Sequence, residues 1–150
     1  MTLQEIMTSD VITVRPDESI EEAIRLITKN KVSGMPVVDG ENRLVGIISE
    51  KDILKRLFPD YTEFMSDVIG GMHYDFAAEK RKEIKELKVK HLMKENVITT
   101  APHISIMKAC AIMIINRIRR IPLIEEGSQK LVGLVSQSDI FHALLKKTIL

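Results

Sequence analysis

The 150-residue chain is poor in cysteine and in aromatic residues, with one cysteine, no tryptophan and 4% aromatic residues in total. A single cysteine excludes a disulfide scaffold. Long apolar runs are also missing, because charged or polar residues interrupt every run well before the ~18 residues that a membrane-spanning helix needs. Residues 1–10 lack the basic-then-apolar layout of a signal peptide, so the sequence favours a cytoplasmic protein.

Neither sign of charge dominates, since 22 basic residues balance 21 acidic ones to a formal net charge of +1. Bulk binding to nucleic acid or to a membrane needs a strong positive field, so neither is expected as a partner. Disorder is excluded because 45% of the residues are hydrophobic. The four histidines show no metal-ligand spacing and no nucleophile–base set is visible, so we expect no metal, no catalytic cofactor and no enzyme activity.

The chain contains its own near-copy. Ten residues recur 86 positions further on and, after one inserted residue, seven more recur, so that copies at about 6–57 and 92–144 flank residues 58–91. We therefore predict a first repeat at 1–57, a helical insertion at 58–91 and a second repeat at 92–150. The matched pairs are Met7/Met93, Val11/Val97, Ile12/Ile98, Thr13/Thr99, Pro16/Pro102, Ser19/Ser105, Ile20/Ile106, Ala23/Ala109, Asn30/Asn116, Pro36/Pro122, Leu44/Leu131, Val45/Val132, Gly46/Gly133, Ser49/Ser136, Asp52/Asp139, Ile53/Ile140 and Leu57/Leu144.

Each copy predicts the order strand, helix, strand, strand, helix. Val11–Val14 is a β-branched run that ends before Pro16. Ser19 opens a helix with Glu22 as its capping-box partner, and apolar runs around Asp39-Gly40 predict a hairpin. Because about 50 residues bury little surface alone, we expect an α/β fold in which two βαββα repeats pack with pseudo-two-fold symmetry. Clefts at such joints commonly hold small molecules.

A Gly-x-x-Ser-x-x-Asp motif closes a strand and opens a helix in each copy, at Gly46–Asp52 and at Gly133–Asp139. Two interpretations of the motif stay open. A serine with an aspartate three residues on forms a capping box for the first N–H groups of a helix. Alternatively, the carboxylate can accept from two vicinal ribose hydroxyls, the serine hydroxyl can donate to a phosphate, and the glycine lets a ligand approach the backbone.

The chain resembles a tandem pair of CBS domains (named for cystathionine β-synthase), also called a Bateman module. The resemblance rests on Met-x-x-x-Val-Ile-Thr near the start of each copy, on Pro16 and Pro102, on Ser-Gly-Met-Pro-Val-Val-Asp at 33–39 and on both Gly-x-x-Ser-x-x-Asp motifs. It implies a regulatory module that binds AMP, ADP, ATP or S-adenosylmethionine in two clefts, forms a homodimer and is not an enzyme. Bound ligand would favour one arrangement of the repeats, which an unidentified protein target would read.

The resemblance also implies the composition of the clefts, each of which combines the motif of one copy with the first strand and pre-proline loop of the other. The strand backbone would read the adenine edge, while Ile48 or Val135 would line the base pocket. Cleft A would comprise Ile48, Ser49, Asp52, Val97, Ile98, Arg120 and Ile121. Cleft B would comprise Val11, Ile12, Gly34, Met35, Val135, Ser136 and Asp139.

The pre-proline loops of the two copies differ, with Ser33-Gly34 in the first and Arg119-Arg120 in the second. A guanidinium group offers a planar fork of donors that suits phosphate. We therefore expect cleft A to prefer phosphorylated ligands, whereas cleft B stays empty or takes a less charged ligand. The alternative is that both arginines are solvated loop residues.

The insertion at 58–91 has no counterpart in a minimal pair of repeats. One helix is predicted to start at Pro59-Asp60, with Glu63 in its box, and a second to run over about 76–90. The insertion is either a cap over the module or its dimer seam, or a segment that covers the ligand or docks a partner. The first helix has an apolar face of Tyr61, Phe64, Met65, Val68 and Ile69 and ends at Gly70-Gly71; Ile84, Leu87 and His91 are placed to touch the core; the aromatic residues are Phe58, Tyr61, Phe64, Tyr74 and Phe76.

The competing hypothesis is a structural or adaptor protein of the same fold that binds no ligand. It would act through protein contacts of residues 58–91, and both Ser-x-x-Asp pairs would be helix caps only. The presence of the same pair in both copies favours ligand binding, because a helix cap tolerates other small polar residues.

Overall fold

The structure, a computed structural model, describes residues 1–57 and 73–149. Within them, the two strands of each repeat form a two-stranded sheet, which is antiparallel in the second repeat. A 3-10 turn at Leu3–Glu5 is followed by α1 (Ile20–Asn30), β1 (Gly34–Val38), β2 (Leu44–Ser49), α2 (Glu50–Leu57), α3 (His73–Glu86), α4 (Val89–Leu92), α5 (Ile106–Asn116), β3 (Arg120–Ile124), β4 (Leu131–Ser136) and α6 (Gln137–Ile149).

Both α1 and α5 begin at a serine cap. The Ser19 hydroxyl accepts from the backbone N–H of Glu22 at 3.1 Å, which confirms the predicted N-cap. The reciprocal half of the predicted capping box is wrong, because the Glu22 carboxylate binds the Arg25 guanidinium instead. The Arg25 guanidinium, one helical turn away, offers two charged N–H donors to this carboxylate. Its hydrogen bonds lower the pKa of Glu22.

The predicted first strand, Val11–Val14, is reduced to a single bridge. Val14 pairs with Val37 in parallel, and Thr100 pairs with Leu123 in the second repeat. The remaining residues of the run have no strand partner among the described residues. The order β-α-β-β-α is therefore present in both repeats, with its first β element one residue long.

Contacts divide the chain into two compact units that exchange short segments. The first-repeat unit comprises Ile12–Val37 and Val45–Glu95, and the second-repeat unit comprises Met1–Val11, Val38–Leu44 and Asn96–Leu150. The division at 1–57, 58–91 and 92–150 stays a prediction about the repeats themselves.

The first-repeat unit is built around α1, β1 and β2. Its buried core includes Val89 of α4, and both Ile84 and Leu87 pack against that core, as predicted. The predicted 76–90 helix stops at Glu86, where the Leu87 carbonyl accepts from the N–H of Ile20 at 3.0 Å. The core comprises Val14, Ile20, Ala23, Ile27, Met35, Val37, Ile48, Ile53 and Val89.

The expected core contact of His91 is wrong. His91 is exposed, and its Nδ1 accepts from the backbone N–H of Lys88 at 2.9 Å. It therefore caps the start of α4, where an N–H group would otherwise lack an acceptor.

The core of the second-repeat unit includes Leu3, a residue near the start of the chain. Leu3 is 0% exposed and packs with Ile106 and Ala109 of α5. Its N–H donates to the carbonyl of Ile104 at 2.9 Å. The core of this unit comprises Leu3, Ile106, Ala109, Met113, Ile121, Leu123, Val135 and Ile140.

Several predictions about the insertion concern residues outside those that the structure describes. These are the helix start at Pro59-Asp60 and Glu63, the apolar face from Tyr61 to Ile69, its end at Gly70-Gly71 and the aromatic residue Phe58. Among the described residues, no helix is long and apolar enough to cross a membrane.

Candidate functional site

The Ser49–Asp52 pair forms a complete capping box where β2 passes into α2. The N–H of Asp52 donates to Ser49 Oγ at 3.3 Å, and the N–H of Ser49 donates to Asp52 Oδ2 at 2.9 Å. The Ser49 hydroxyl also donates to the same Oδ2 at 3.0 Å. The capping interpretation is therefore confirmed for this motif.

The Ser136–Asp139 pair repeats the arrangement between β4 and α6. The N–H of Ser136 donates to Asp139 Oδ2 at 2.8 Å, and the N–H of Asp139 donates to Ser136 Oγ at 3.0 Å. In both boxes the cap occupies Oδ2, and Oδ1 accepts no hydrogen bond from the described residues. A carboxylate has about four lone-pair sites, so each aspartate caps its helix and still has an oxygen that can accept further hydrogen bonds.

Other parts of the chain pack closely against both motif glycines. A Cβ added to Gly46 would lie 2.8 Å from Met93 Sδ and 2.9 Å from the carbonyl oxygen of Lys94. A Cβ at Gly133 would lie 2.6 Å from Met7 Sδ. The prediction that this glycine admits a ligand is therefore wrong, because the space beside it is filled by the first residues of the other repeat.

These neighbouring segments pair with the strand residue after each glycine. Ile47 and Lys94 exchange two backbone hydrogen bonds of 2.9 Å, and so do Leu134 and Thr8. Thr8 and Lys94 occupy matched positions, since Met7 matches Met93. The backbone is thus the same at both motifs, while the side chain beside each carboxylate differs.

Lys94 lies beside the first motif, and sequence reasoning did not single it out. Its Nζ lies 3.7 Å from Asp52 Oδ1; the lysine side chain is 58% exposed, whereas that of Asp52 is 6% exposed. Asp139 is only half-buried and makes no ion pair with the described residues. The signal was present in the repeat alignment, where a lysine replaces a threonine one residue after the shared methionine.

A second feature of the predicted sites is the backbone around Ile98 and Ile12, which does not join the sheets. Thr100 donates to the carbonyl of Pro122 at 3.3 Å and accepts from Ile124 at 3.0 Å. The next rung of this parallel ladder would need an N–H from Pro122 toward Ile98, and proline has none. Pro36 ends the ladder in the same way before Ile12 in the first repeat.

The residues predicted for each cleft are divided between the first-repeat unit and the second-repeat unit. The first-repeat unit holds Ile48, Ser49 and Asp52 of cleft A together with Ile12, Gly34 and Met35 of cleft B; the second-repeat unit holds Val135, Ser136, Asp139 and Val11 of cleft B together with Val97, Ile98, Arg120 and Ile121 of cleft A. Their assignment to shared clefts stays a prediction.

Four of these residues lie in the cores of their own units, namely Met35, Ile48, Ile121 and Val135, each at most 1% exposed. By contrast, Ile98 is 37% exposed and Arg120 is half-buried at the start of β3. Each motif also contacts the pre-proline loop of its own copy, since Glu50 donates to Ser33 and Gln137 donates to Arg119 through backbone groups.

Comparison with known sequences decides the family. The sequence model of the CBS domain matches residues 3–59 and 89–146, which together exceed half of the chain. The chain belongs to the CBS domain family. The predicted resemblance to a tandem CBS pair is therefore confirmed.

Sequence relatives of this CBS pair include short and long proteins. It is 30% identical over 157 residues to the uncharacterized protein MJ1426 of Methanocaldococcus jannaschii, covering 97% of this chain and 92% of that protein. It is 31% identical to inosine-5'-monophosphate dehydrogenase of the same organism, and the match covers 91% of this chain. It spans only 22% of the length of that enzyme.

Solved CBS pairs have the same fold. CBSX2 in complex with AMP superimposes with a TM-score of 0.75 at 23% identity, covering 98% of both chains. The CBS pair of protein MJ0100, in complex with 5'-methylthioadenosine and S-adenosyl-L-methionine, gives a TM-score of 0.73 at 22% identity and again covers 98% of both chains. The predicted α/β fold of two CBS repeats is thus confirmed.

Proposed function

We propose that this CBS pair is a non-enzymatic regulatory module that binds an adenosine ligand through Asp52, Asp139 or both. The observation that carries the proposal is that each capping box uses one carboxylate oxygen, Oδ2, and leaves Oδ1 to accept further hydrogen bonds. Two vicinal hydroxyls of a ribose are suitable donors, since an ionised carboxylate accepts only. The cap fixes the carboxylate before a ligand arrives, so little side-chain entropy is lost on binding.

The ligands of related structures support an adenosine compound. CBSX2 was solved with AMP, and the MJ0100 pair with 5'-methylthioadenosine and S-adenosyl-L-methionine. All three ligands contain adenosine. The candidate ligands for this chain are accordingly AMP, ADP, ATP and S-adenosylmethionine.

We assign base recognition to backbone outside the sheets. The prolines at 36 and 122 end the parallel pairing before Ile12 and Ile98. The backbone edges of these two residues, unpaired by the residues that the structure describes, can pair with an adenine ring. Ile48 and Val135 face the cores of their units. Because alternate side chains of a strand point to opposite faces, their neighbours Ile47 and Leu134 are better placed to line a base pocket.

Arg120 is proposed to favour a phosphorylated ligand in cleft A. It lies half-buried at the matched position of Gly34, and a guanidinium binds phosphate through paired donors. Arg120→Ala should therefore weaken AMP binding, with Arg117→Ala, a change at an exposed arginine of the turn before β3, as control. Equal AMP affinity in wild type and Arg120→Ala would contradict this role.

Signalling is proposed to follow from a ligand-dependent shift in the arrangement of the repeats, read by a protein target. A homodimer is supported by the exposed face of α5. Met107, Ala111, Ile114 and Ile115 are all exposed at helical spacing there, whereas the matched positions of α1 are Glu21, Arg25, Thr28 and Lys29. An exposed apolar helix face of this kind is typical of an interface.

The first experiment is a thermal-shift panel with AMP, ADP, ATP, S-adenosylmethionine and GMP on wild type, Asp52→Asn and Asp139→Asn. A ligand at 100 times its Kd stabilises the fold by about 2.7 kcal/mol. We expect one adenosine ligand to raise the Tm and one of the two variants to lose that shift. 2'-Deoxy-AMP is the matched ligand control, because it lacks one of the two vicinal hydroxyls.

Equal shifts with AMP and 2'-deoxy-AMP would contradict the role of the carboxylates. If no ligand shifts the wild type and both variants melt at lower temperature, the motifs are helix caps only. The competing adaptor function would then be the better hypothesis, and binding partners of residues 58–91 should be sought.

A further inference from the structure

The two Ser-x-x-Asp motifs are unequal in charge, and the inequality comes from one residue. Lys94 follows the methionine that packs on Gly46, and Thr8 follows the methionine that packs on Gly133. Both residues are fixed by the same pair of backbone hydrogen bonds, to Ile47 and Leu134 respectively. The side chains therefore start from equivalent places relative to their carboxylates.

The ammonium of Lys94 lies beside the Asp52 carboxylate without occupying it. The distance of 3.7 Å between Nζ and Oδ1 exceeds that of a hydrogen bond. Oδ1 thus keeps its lone pairs for hydroxyl donors, and the ammonium keeps its three N–H donors for another acceptor. With 58% of its side chain exposed, Lys94 can exchange water for a ligand anion with little rearrangement.

Lys94 is not needed to hold Asp52 in place. The carboxylate already accepts from the N–H and the hydroxyl of Ser49, and the aspartate N–H donates back to that hydroxyl. Ion pairs with an exposed partner contribute little to stability. The second motif keeps its box with a threonine at the matched position, which shows that the box forms without a cation.

The other residues in the first turns of α2 and α6 do not offset this difference in charge between the two motifs. Glu50 and Lys51 carry opposite charges, and the matched Gln137 and Ser138 carry none. The Ser49–Asp52 motif is therefore balanced by Lys94, whereas Asp139 has no cation within ion-pair distance among the described residues. A phosphate group brought near Asp139 would meet an uncompensated negative charge, and one near Asp52 would meet an ammonium.

We propose that Lys94 is the residue that makes the Ser49–Asp52 site select an anionic adenosine ligand, by donating to the phosphate of a nucleoside phosphate whose ribose binds Asp52. The Ser136–Asp139 site, with Thr8 in that position, selects a neutral or cationic adenosine compound. This assignment rests on the proposed function, and it is tested with Arg120 left unchanged.

Isothermal titration calorimetry with AMP and adenosine tests the proposal on wild type, Lys94→Thr and Asp52→Asn. Lys94→Thr installs the residue found in the other repeat, so its melting curve without ligand should match that of wild type. We expect it to weaken AMP binding about tenfold, to leave adenosine binding unchanged and to reduce the salt dependence of the AMP affinity. Thr8→Lys, measured in the Asp52→Asn background, should strengthen AMP binding relative to adenosine.

Two results would overturn the role of Lys94 while leaving the proposed function intact. In one, Lys94→Thr changes the AMP and adenosine affinities by the same factor or not at all. In the other, Asp139→Asn abolishes AMP binding and Asp52→Asn does not. If wild type binds neither AMP nor adenosine, the proposed function itself fails, and the role of Lys94 fails with it.

Discussion

Gly46 and Lys94 approach each other so closely that a Cβ on the glycine would lie 2.9 Å from the lysine carbonyl oxygen. That oxygen accepts from the N–H of Ile47 at 2.9 Å and cannot move without breaking the pairing. Gly46→Ala should therefore destabilise the protein by about 1–3 kcal/mol, the usual cost of overpacking. Chemical denaturation of the ligand-free protein measures this change.

Gly133→Ala is the matched control for that prediction. Its Cβ would meet the thioether sulfur of Met7 at 2.6 Å, while the nearest backbone atom, the Thr8 carbonyl oxygen, lies 3.3 Å away. A flexible side chain can turn aside at low cost. We expect a smaller loss of stability than at Gly46, and an equal or larger loss would contradict the distinction between backbone and side-chain neighbours.

Leu3 should behave as a core residue although it lies at the start of the chain. It is 0% exposed and packs on α5, so Leu3→Ala is expected to cost about 2–5 kcal/mol of unfolding free energy. Gln4→Ala, a change at the exposed neighbour, is the control and should leave the Tm nearly unchanged. Similar melting of both variants would show that the first residues do not complete the second-repeat core.

Asp39 should contribute stability that depends on pH. The backbone N–H groups of Arg43 and Glu41 donate to its carboxylate at 2.9 Å, and with the Arg43 guanidinium they lower the pKa of Asp39. A carboxyl whose pKa is lower in the folded state stabilises the fold above its unfolded pKa of about 4, and the contribution is lost as the pH falls through the folded pKa.

Asp39→Ala should therefore be less stable than wild type at pH 7, and the difference should shrink below about pH 4. Urea denaturation across this range measures it. Asp10→Ala, which removes an exposed carboxylate, serves as the control. A difference that stays constant with pH would show that the carboxylate charge is not what stabilises the turn.

The proposed homodimer can be tested at matched positions of α5 and α1. Ile114 is 67% exposed and corresponds to Thr28 in the first repeat. Ile114→Glu should convert a dimer into a 17.0 kDa monomer in light scattering, because a charge in an apolar interface is left unpaired. Thr28→Glu should leave the dimer intact; a wild-type monomer, or dimers of both variants, would contradict the assignment.

Local sequence patterns predicted local structure well. Ser19 caps α1 as predicted, and the Ser-x-x-Asp spacing gave two capping boxes, since these interactions involve residues three apart and need no distant partner. The repeat predicted the β-α-β-β-α order, and the motifs within it carried the resemblance to the CBS family. Helix ends were less predictable, because α3 stops where the Leu87 carbonyl binds the N–H of Ile20.

Errors arose where a distant segment decided the outcome. The run Val11–Val14 has the composition of a strand, yet only Val14 pairs, because its partner strand contains Pro36. The glycine of each motif was predicted to let a ligand approach the backbone, yet its neighbour is Met93 or Met7 from another part of the chain. His91 was assigned to the core and instead caps α4.

The sequence alone determined the duplication, the family and the two aspartates that carry the proposed function, because residue identity and spacing encode them directly. Only the tertiary structure decided that the cap uses one oxygen of each carboxylate and that Lys94 lies beside Asp52 and not elsewhere on the surface. The physical reason is that the first residues of each repeat belong to the unit of the other repeat. Asp52 and Lys94 are 42 positions apart, and their contact depends on this exchange of segments. A sequence pattern that repeats every two to four residues cannot predict such a contact.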